Sequence, residues 1–187
     1  MGAIPLSDSS IGRVALFNGP PSSGKTSLVN SLQHQISAPW FHLSLDDFRP
    51  GYSESFWDED EGDLFSRLLT GYVGALREMA LAGNDVLAEA VITPARRLLY
   101  ESTFGSLPLL LIGVKCRLDI AVQREVSRAD RRHGPIELPA AYFAAVHEGL
   151  SYDLEIETSD ENPRDLATKL IPDFIELVGS SFASHLT

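Results

Sequence analysis

The chain has 187 residues, of which 44% are hydrophobic and 22% are charged, and its formal net charge is −11. This length can bury one sizeable core, which predicts a single domain over residues 1–187. The acidic balance argues against a nucleic-acid partner, because phosphates would be repelled. The longest apolar run, residues 107–116, is shorter than the roughly 20 residues of a membrane helix, so we expect no membrane partner.

The N-terminal segment, residues 1–12, is polar and shows no regular pattern, so we expect it to be flexible or loosely attached. Residues 1–5 lack the basic region and the long apolar stretch of a secretory signal, which predicts a cytoplasmic protein. The sequence leaves the oligomeric state open.

Short apolar segments alternate with segments of helical periodicity along the rest of the chain. Strands are predicted at residues 13–18, 40–45, 85–92, 109–116 and 152–157. Helices are predicted at residues 25–34, 64–82, 94–104, 119–132, 139–149 and from 162 onwards, with an acidic loop at 54–63. Such alternation implies right-handed βαβ crossovers. We therefore predict an α/β fold with a five-stranded, mainly parallel sheet and helices on both faces.

The loop after the first predicted strand has a phosphate-binding pattern. Gly19 and Gly24 enclose four residues and are followed by Lys25 and Thr26. The glycines let the backbone turn its N–H groups towards phosphate, and the next helix adds its positive N-terminus. Lys25 would reach the β and γ phosphates of a nucleotide, and Thr26 would coordinate magnesium. The predicted nucleotide-binding segment comprises Gly19, Pro20, Pro21, Ser22, Ser23, Gly24, Lys25, Thr26 and Ser27.

Arginines crowd the helix predicted at residues 119–132. Arg124, Arg128 and Arg132 recur every fourth residue and so share one face, with Arg131 beside them. Their mutual repulsion indicates a bound anion, although a solvated helix with paired acidic residues is an alternative. Arg124 would stack on adenine or hold phosphate, and Arg128 with Arg131 or Arg132 would stabilise the transferring phosphoryl group. No GTP-specifying segment follows the fourth strand, which favours ATP.

Three acidic residues follow or lie in predicted strands. Asp46 and Asp47 end the second strand, where a carboxylate could accept the proton of an attacking hydroxyl. Alternation along a strand would point these two side chains to opposite faces. Glu89 lies inside the third strand, where it could orient a magnesium-bound water. A turn or capping aspartate and a structural ion pair are the respective alternatives.

A histidine and a glutamate, His147 and Glu148, lie side by side near the end of the helix predicted at residues 139–149. They lack the second histidine of a zinc-binding H-E-x-x-H pattern. We therefore predict that this pair belongs to helix packing rather than to catalysis.

Several of these segments together resemble the chloramphenicol phosphotransferase family, small P-loop kinases built like nucleotide and shikimate kinases with a short arginine-rich lid. The resemblance is carried by residues 16–27, 39–46, 113–117, 124–131 and 146–153. It implies transfer of the γ-phosphoryl group of ATP, with Mg²⁺, to a primary hydroxyl of chloramphenicol. It also implies an aspartate base at the end of the second strand, which is Asp46 here, with Asp47 as an extra acid beside it.

The chain departs from the family at two places. Glu89 and Ala90 stand where family members carry two aspartates, and residues 49–63 are more acidic. Another antibiotic, a nucleoside, a sugar or a shikimate-type metabolite therefore fits the same residues as acceptor. A non-enzymatic ATP switch is a further alternative, and it would need neither Asp46 nor the arginines.

Overall fold

Alternating strands and helices make up the described part of the chain. The structure, a computed structural model, describes residues 11–48, 51, 61–127 and 137–179. The elements, in chain order, are β1 (Val14–Asn18), α1 (Lys25–Gln35), β2 (Phe41–Leu43), α2 (Leu45–Phe48), α3 (Glu61–Leu81), β3 (Val86–Ala90), α4 (Pro94–Phe104), β4 (Leu109–Lys115), α5 (Leu118–Val126), α6 (Ala140–Ala145), β5 (Leu154–Glu157) and α7 (Pro163–Gly179). No helix within these ranges is both long and apolar enough to span a membrane.

Within the described ranges, five strands form one sheet in the order β2-β3-β1-β4-β5. Every neighbouring pair is parallel. All residues of β1 and β3 are buried, as expected for strands that are covered on both faces and that therefore read as continuous apolar runs. The predicted five-stranded parallel α/β fold is confirmed.

The two faces of the sheet carry separate apolar clusters. One cluster packs against α3 and α4 and includes Val14, Leu16, Tyr72, Leu76 and Tyr100. The other packs against α1 and α7 and includes Ala15, Phe17, Leu28, Leu32 and Phe174. Successive residues of β1 alternate between these clusters because side chains alternate across a strand. Helices thus cover both faces, as predicted.

The second strand is shorter than predicted. It ends at Leu43 rather than at residue 45, and the chain enters the short helix α2 at Leu45. Asp46 and Asp47 therefore lie in a helix, so the expectation that strand alternation separates them is wrong. Ser44 explains the change, since its backbone N–H donates to Asp47 Oδ2 at 2.9 Å and the Asp47 N–H donates back to the Ser44 carbonyl at 3.1 Å. This reciprocal bonding is typical of a helix start.

An ion pair joins the beginnings of β1 and β3. The backbone N–H of Arg13 donates to Asp85 Oδ1 at 2.8 Å, and its guanidinium also donates to the same carboxylate. Arg13 additionally reaches the carbonyl of Val178 at 2.6 Å and lies over the Trp40 ring. Burial would by itself raise the pKa of Asp85, but the bonds and charge of Arg13 lower that pKa below its usual range.

We expect Asp85→Asn to lower the free energy of unfolding at pH 7 by about 1 kcal/mol, because the pair is partly exposed. A lowered carboxyl pKa contributes stability above the unfolded pKa of about 3.9 and loses it as the pH falls through the folded pKa. The difference in the free energy of unfolding between wild type and variant should therefore shrink below pH ~4. Urea unfolding at a series of pH values measures this difference. Asp63→Asn, in an exposed pair on α3, is the control that should change little.

Candidate active site

The glycine-rich loop closes on Lys25 between β1 and α1. The ammonium group of Lys25 donates to the carbonyls of Gly19 and Pro20, each at 2.8 Å, and the residue is 8% exposed. A Cβ on Gly19 would lie 2.4 Å from the carbonyl oxygen of Val114, and Gly24 has a φ of 89°. Gly19 is therefore required because a side chain would clash with β4, and Gly24 is required because its backbone conformation disfavours other residues. Backbone N–H groups and a buried ammonium suit an anionic ligand.

Thr26 and Glu89 meet beside this loop. The Thr26 hydroxyl donates to Glu89 Oε2 at 2.7 Å, and Glu89 is 6% exposed. No cluster of three or more His, Cys, Asp and Glu side chains in the described ranges could hold a metal by itself. Mg²⁺ in kinases, however, takes only one or two protein oxygens besides phosphate and water. A hydroxyl and a carboxylate oxygen in contact are hard ligands, so the pair fits this ion.

His42 is a third member of this group that the sequence interpretation missed. Its Nε2 lies 2.9 Å from Glu89 Oε1, and its Nδ1 lies 3.0 Å from Asn30 Oδ1. The ring thereby links the carboxylate to α1. A polar residue inside an otherwise apolar strand was the available signal, since a buried polar group needs a partner. The sequence did not show that this partner lies on β3.

The two aspartates of α2 differ in their bonding. The Asp47 carboxylate accepts the backbone N–H of Ser44 and so serves the helix start. The backbone N–H of Asp46 donates to the Ser44 hydroxyl at 3.3 Å, and both aspartates are exposed. Since β2 pairs in parallel with β3, α2 begins at the same carboxyl edge of the sheet as Glu89. A capping role therefore distinguishes Asp47 from Asp46.

Arg124 connects α5 to the phosphate loop and to the end of β5. Its guanidinium donates to the carbonyl of Thr158 at 2.6 Å and to the carbonyl of Ser23 at 3.3 Å. The Thr158 hydroxyl also donates to the Ser23 carbonyl, so both residues contact one loop carbonyl. Arg124 therefore lies at the loop, as its predicted role requires. Arg128, Arg131 and Arg132 lie outside the described residues.

A second set of hydrogen bonds holds Asn18, the residue before the loop. Asn18, the last residue of β1, accepts the N–H of Ile92 at 2.8 Å. Its amide nitrogen donates to the carbonyl of Val146 at 2.9 Å and to the Tyr152 hydroxyl at 2.7 Å. One asparagine thus ties the loop to the segments that follow β3 and α6. The helix predicted at residues 139–149 is shorter than expected, because α6 ends at Ala145.

His147 extends this network. Its Nδ1 lies 2.7 Å from the Tyr152 hydroxyl, the same hydroxyl that accepts from the Asn18 amide. Burial lowers the pKa of His147 below its usual range, and the charge of Lys115 acts in the same direction. Burial also raises the pKa of Tyr152 to about 12. The lowered pKa of His147 favours the neutral form of its ring.

The sequence matches the family model described as chloramphenicol phosphotransferase-like protein over residues 12–175. The chain belongs to this family. A Mycobacterium tuberculosis relative that carries the name "Putative O-phosphotransferase" is 26% identical over 187 aligned residues, which cover 85% of this chain and 80% of the relative. The chain is accordingly a phosphotransferase enzyme of the small-molecule kinase type.

Solved structures show the same fold. The Mycobacterium tuberculosis APS kinase, solved with AMPPNP and APS, superimposes with a TM-score of 0.59 at 18% identity, covering 90% of this chain and 98% of its own. The Acinetobacter baumannii shikimate kinase, solved with shikimate, gives 0.61 at 18% identity, covering 92% and 98%. The Deinococcus radiodurans tunicamycin resistance protein gives 0.61 at 15% identity, covering 87% and 95%. The architecture is therefore that of the P-loop kinases.

The Asn18–Tyr152–His147 network depends on the absence of a side chain at Gly113 of β4. A Cβ there would lie 2.7 Å from Cδ2 of the Tyr152 ring. We expect Gly113→Ala to displace this ring and to lower the free energy of unfolding by about 1–3 kcal/mol, as overpacking does. Urea unfolding measures it. Gly71→Ala, in α3 with open space around it, should instead be neutral or stabilising, and an equal loss in both variants would contradict the explanation.

Proposed function

We propose that the enzyme moves the γ-phosphoryl group of ATP, bound with Mg²⁺, to a hydroxyl of a small molecule. The observation that carries this proposal is the contact between Thr26 and the buried carboxylate of Glu89, next to a loop closed on Lys25. A hydroxyl, an acid and an ammonium group at the carboxyl edge of a parallel sheet are the groups that a kinase needs around a nucleotide triphosphate.

On the nucleotide side, Lys25 would hold the β and γ phosphates within the N–H groups of residues 19–27. Thr26 and Glu89 would hold the metal and its water. When bound, Mg²⁺ would neutralise charge on the phosphates. Arg124 would stack on adenine or hold phosphate, and its position at the Ser23 carbonyl supports that role.

The transferring phosphoryl group needs positive charge beyond that of Lys25, because negative charge is spread over its oxygens in the transition state. We assign this task to Arg128 together with Arg131 or Arg132, which follow α5 in the sequence. Arg124 supports the assignment, since it brings the end of α5 to the phosphate loop.

On the acceptor side, Asp46 is the proposed base. Its carboxylate would accept the proton of the attacking hydroxyl while the new O–P bond forms and the bond to the leaving ADP breaks. The products are ADP and a phosphate monoester. The bond from the Ser44 backbone N–H to the Asp47 carboxylate supports the choice of Asp46, because it gives Asp47 a structural role at the start of α2.

We propose an antibiotic with a free hydroxyl, such as chloramphenicol or a related compound, as the acceptor. The family description supports this class. A nucleoside, sugar or shikimate-type metabolite is the competing class, and the shikimate kinase of similar fold illustrates it. The two classes share every nucleotide-side residue named above, so only acceptor measurements separate them.

A coupled ADP-release assay with purified enzyme and MgATP tests the proposal against chloramphenicol, other hydroxylated antibiotics, nucleosides, sugars and shikimate. We expect acceptor-dependent ADP release with an antibiotic and a phosphate monoester in the product by mass spectrometry. Lys25→Ala should abolish transfer, since it removes the charge on the β and γ phosphates. Release with a metabolite alone would reassign the acceptor, and release with none would favour an ATP switch.

The role of Asp46 has its own test. We expect Asp46→Asn to lower turnover by at least about 10²-fold with unchanged nucleotide affinity, because the amide cannot accept a proton. Asp47→Asn is the matched control and should lower turnover by less than about 10-fold, since asparagine can also cap a helix. Steady-state kinetics together with ADP titrations measure both. The reverse order of effects would make Asp47 the base.

A further inference from the structure

Ser22 adopts an unusual backbone conformation at the tip of the phosphate loop. Its φ is 56°, and it is the sole non-glycine residue with a positive φ among those that the structure describes. For an L-residue this left-handed region is disfavoured by about 5- to 30-fold in population relative to the ordinary regions. Some interaction must therefore select this conformation.

A buried carboxylate contacts the Ser22 side chain. The Ser22 hydroxyl donates to Glu125 Oε2, and Glu125 is 1% exposed in the last turn of α5. The preceding residue, Arg124, donates to the carbonyl of Ser23. Two consecutive residues of α5 thus hold two consecutive residues of the loop, one through a side chain and one through a carbonyl.

The charge of Glu125 is unfavourable at this place if it is considered alone. A carboxylate beside a loop that binds phosphates repels them, and burial strengthens the repulsion because it removes screening water. Fixing the loop before the nucleotide arrives is a benefit that opposes this repulsion, because a preorganised site avoids the cost of ordering on binding.

We infer that Glu125 is a positioning residue of the phosphate loop, whose carboxylate holds Ser22 in the left-handed conformation that the bound phosphates require. The inference rests on the proposed binding of ATP at this loop. Glu125 acts through Ser22 and does not touch the nucleotide. In this arrangement α5, which also carries Arg124, sets the shape of the loop.

The test uses MgADP binding by isothermal titration calorimetry on the full chain, which requires neither an acceptor nor catalysis. Glu125→Ala and Ser22→Ala should each weaken MgADP binding by about 5- to 30-fold, because each removes one side of the bond. Glu125→Gln keeps an acceptor oxygen without the charge and should bind at least as tightly as wild type. Tighter binding by Glu125→Ala would overturn the inference, because it would show that the Glu125 carboxylate only repels the phosphates.

A glycine variant at position 22 distinguishes a role of Glu125 in positioning the loop from a role in the packing of α5. Since glycine adopts a positive φ without cost, Ser22→Gly should bind MgADP more tightly than Ser22→Ala, and it should restore binding in a Glu125→Ala background. A purely structural role of Glu125 in α5 predicts no such rescue. Gln123→Ala, at an exposed position on the same helix, is the control and should leave binding unchanged.

The outcomes distinguish this inference from the proposed function. Wild type that fails to bind MgADP would contradict the proposed function itself. Wild type that binds, with equal affinities for Ser22→Ala and Ser22→Gly, would contradict only the positioning role. Thermal melts accompany each variant, and if Glu125→Ala does not fold, the comparison of the two Ser22 variants decides the question.

Discussion

The central strand β1 is completely buried, and its fixed position sets the position of the elements around it. The strand pairs in parallel with β3 on one side and with β4 on the other, and every residue in it is buried. No backbone group of such a strand can shift without losing ladder hydrogen bonds that water cannot replace. The loop that follows Asn18 therefore starts from a fixed point, which suits a site that must match the geometry of phosphates.

The neighbours of β1 bring the remaining groups to the loop from two sides. On the β3 side, Glu89 contacts Thr26, and His42 of β2 reaches the same carboxylate. On the β4 and β5 side, Arg124 and Thr158 both contact the carbonyl of Ser23. Parallel strands end at one edge, so residues distant in the sequence converge there. In the proposed function the first side would hold the metal, and Arg124 on the second side would contact adenine or phosphate.

Several charged side chains are buried at the phosphate loop. Lys25, Glu89 and Glu125 are all largely buried, and each bonds to the loop or to a residue next to it. Water screens such groups poorly, so their attraction and repulsion act at greater strength than on the surface. The net charge of −11 is a sum over the whole chain and says little about the local field that a phosphate would meet.

The sheet, the phosphate loop and the family were predictable from the sequence, because apolar strand runs and the Gly19 to Thr26 pattern are formed by neighbouring residues. The sequence also indicated that Glu89 is an acid in an apolar strand and needs a partner. The identity of that partner came from the folded structure, as did the bonds of His42 to Glu89 and of Ser22 to Glu125. The helical setting of Asp46 and Asp47 likewise depends on the capping geometry at Ser44 rather than on periodicity. Contacts across 47 and 103 residues arise from the crossover topology, which no pattern along a single segment encodes.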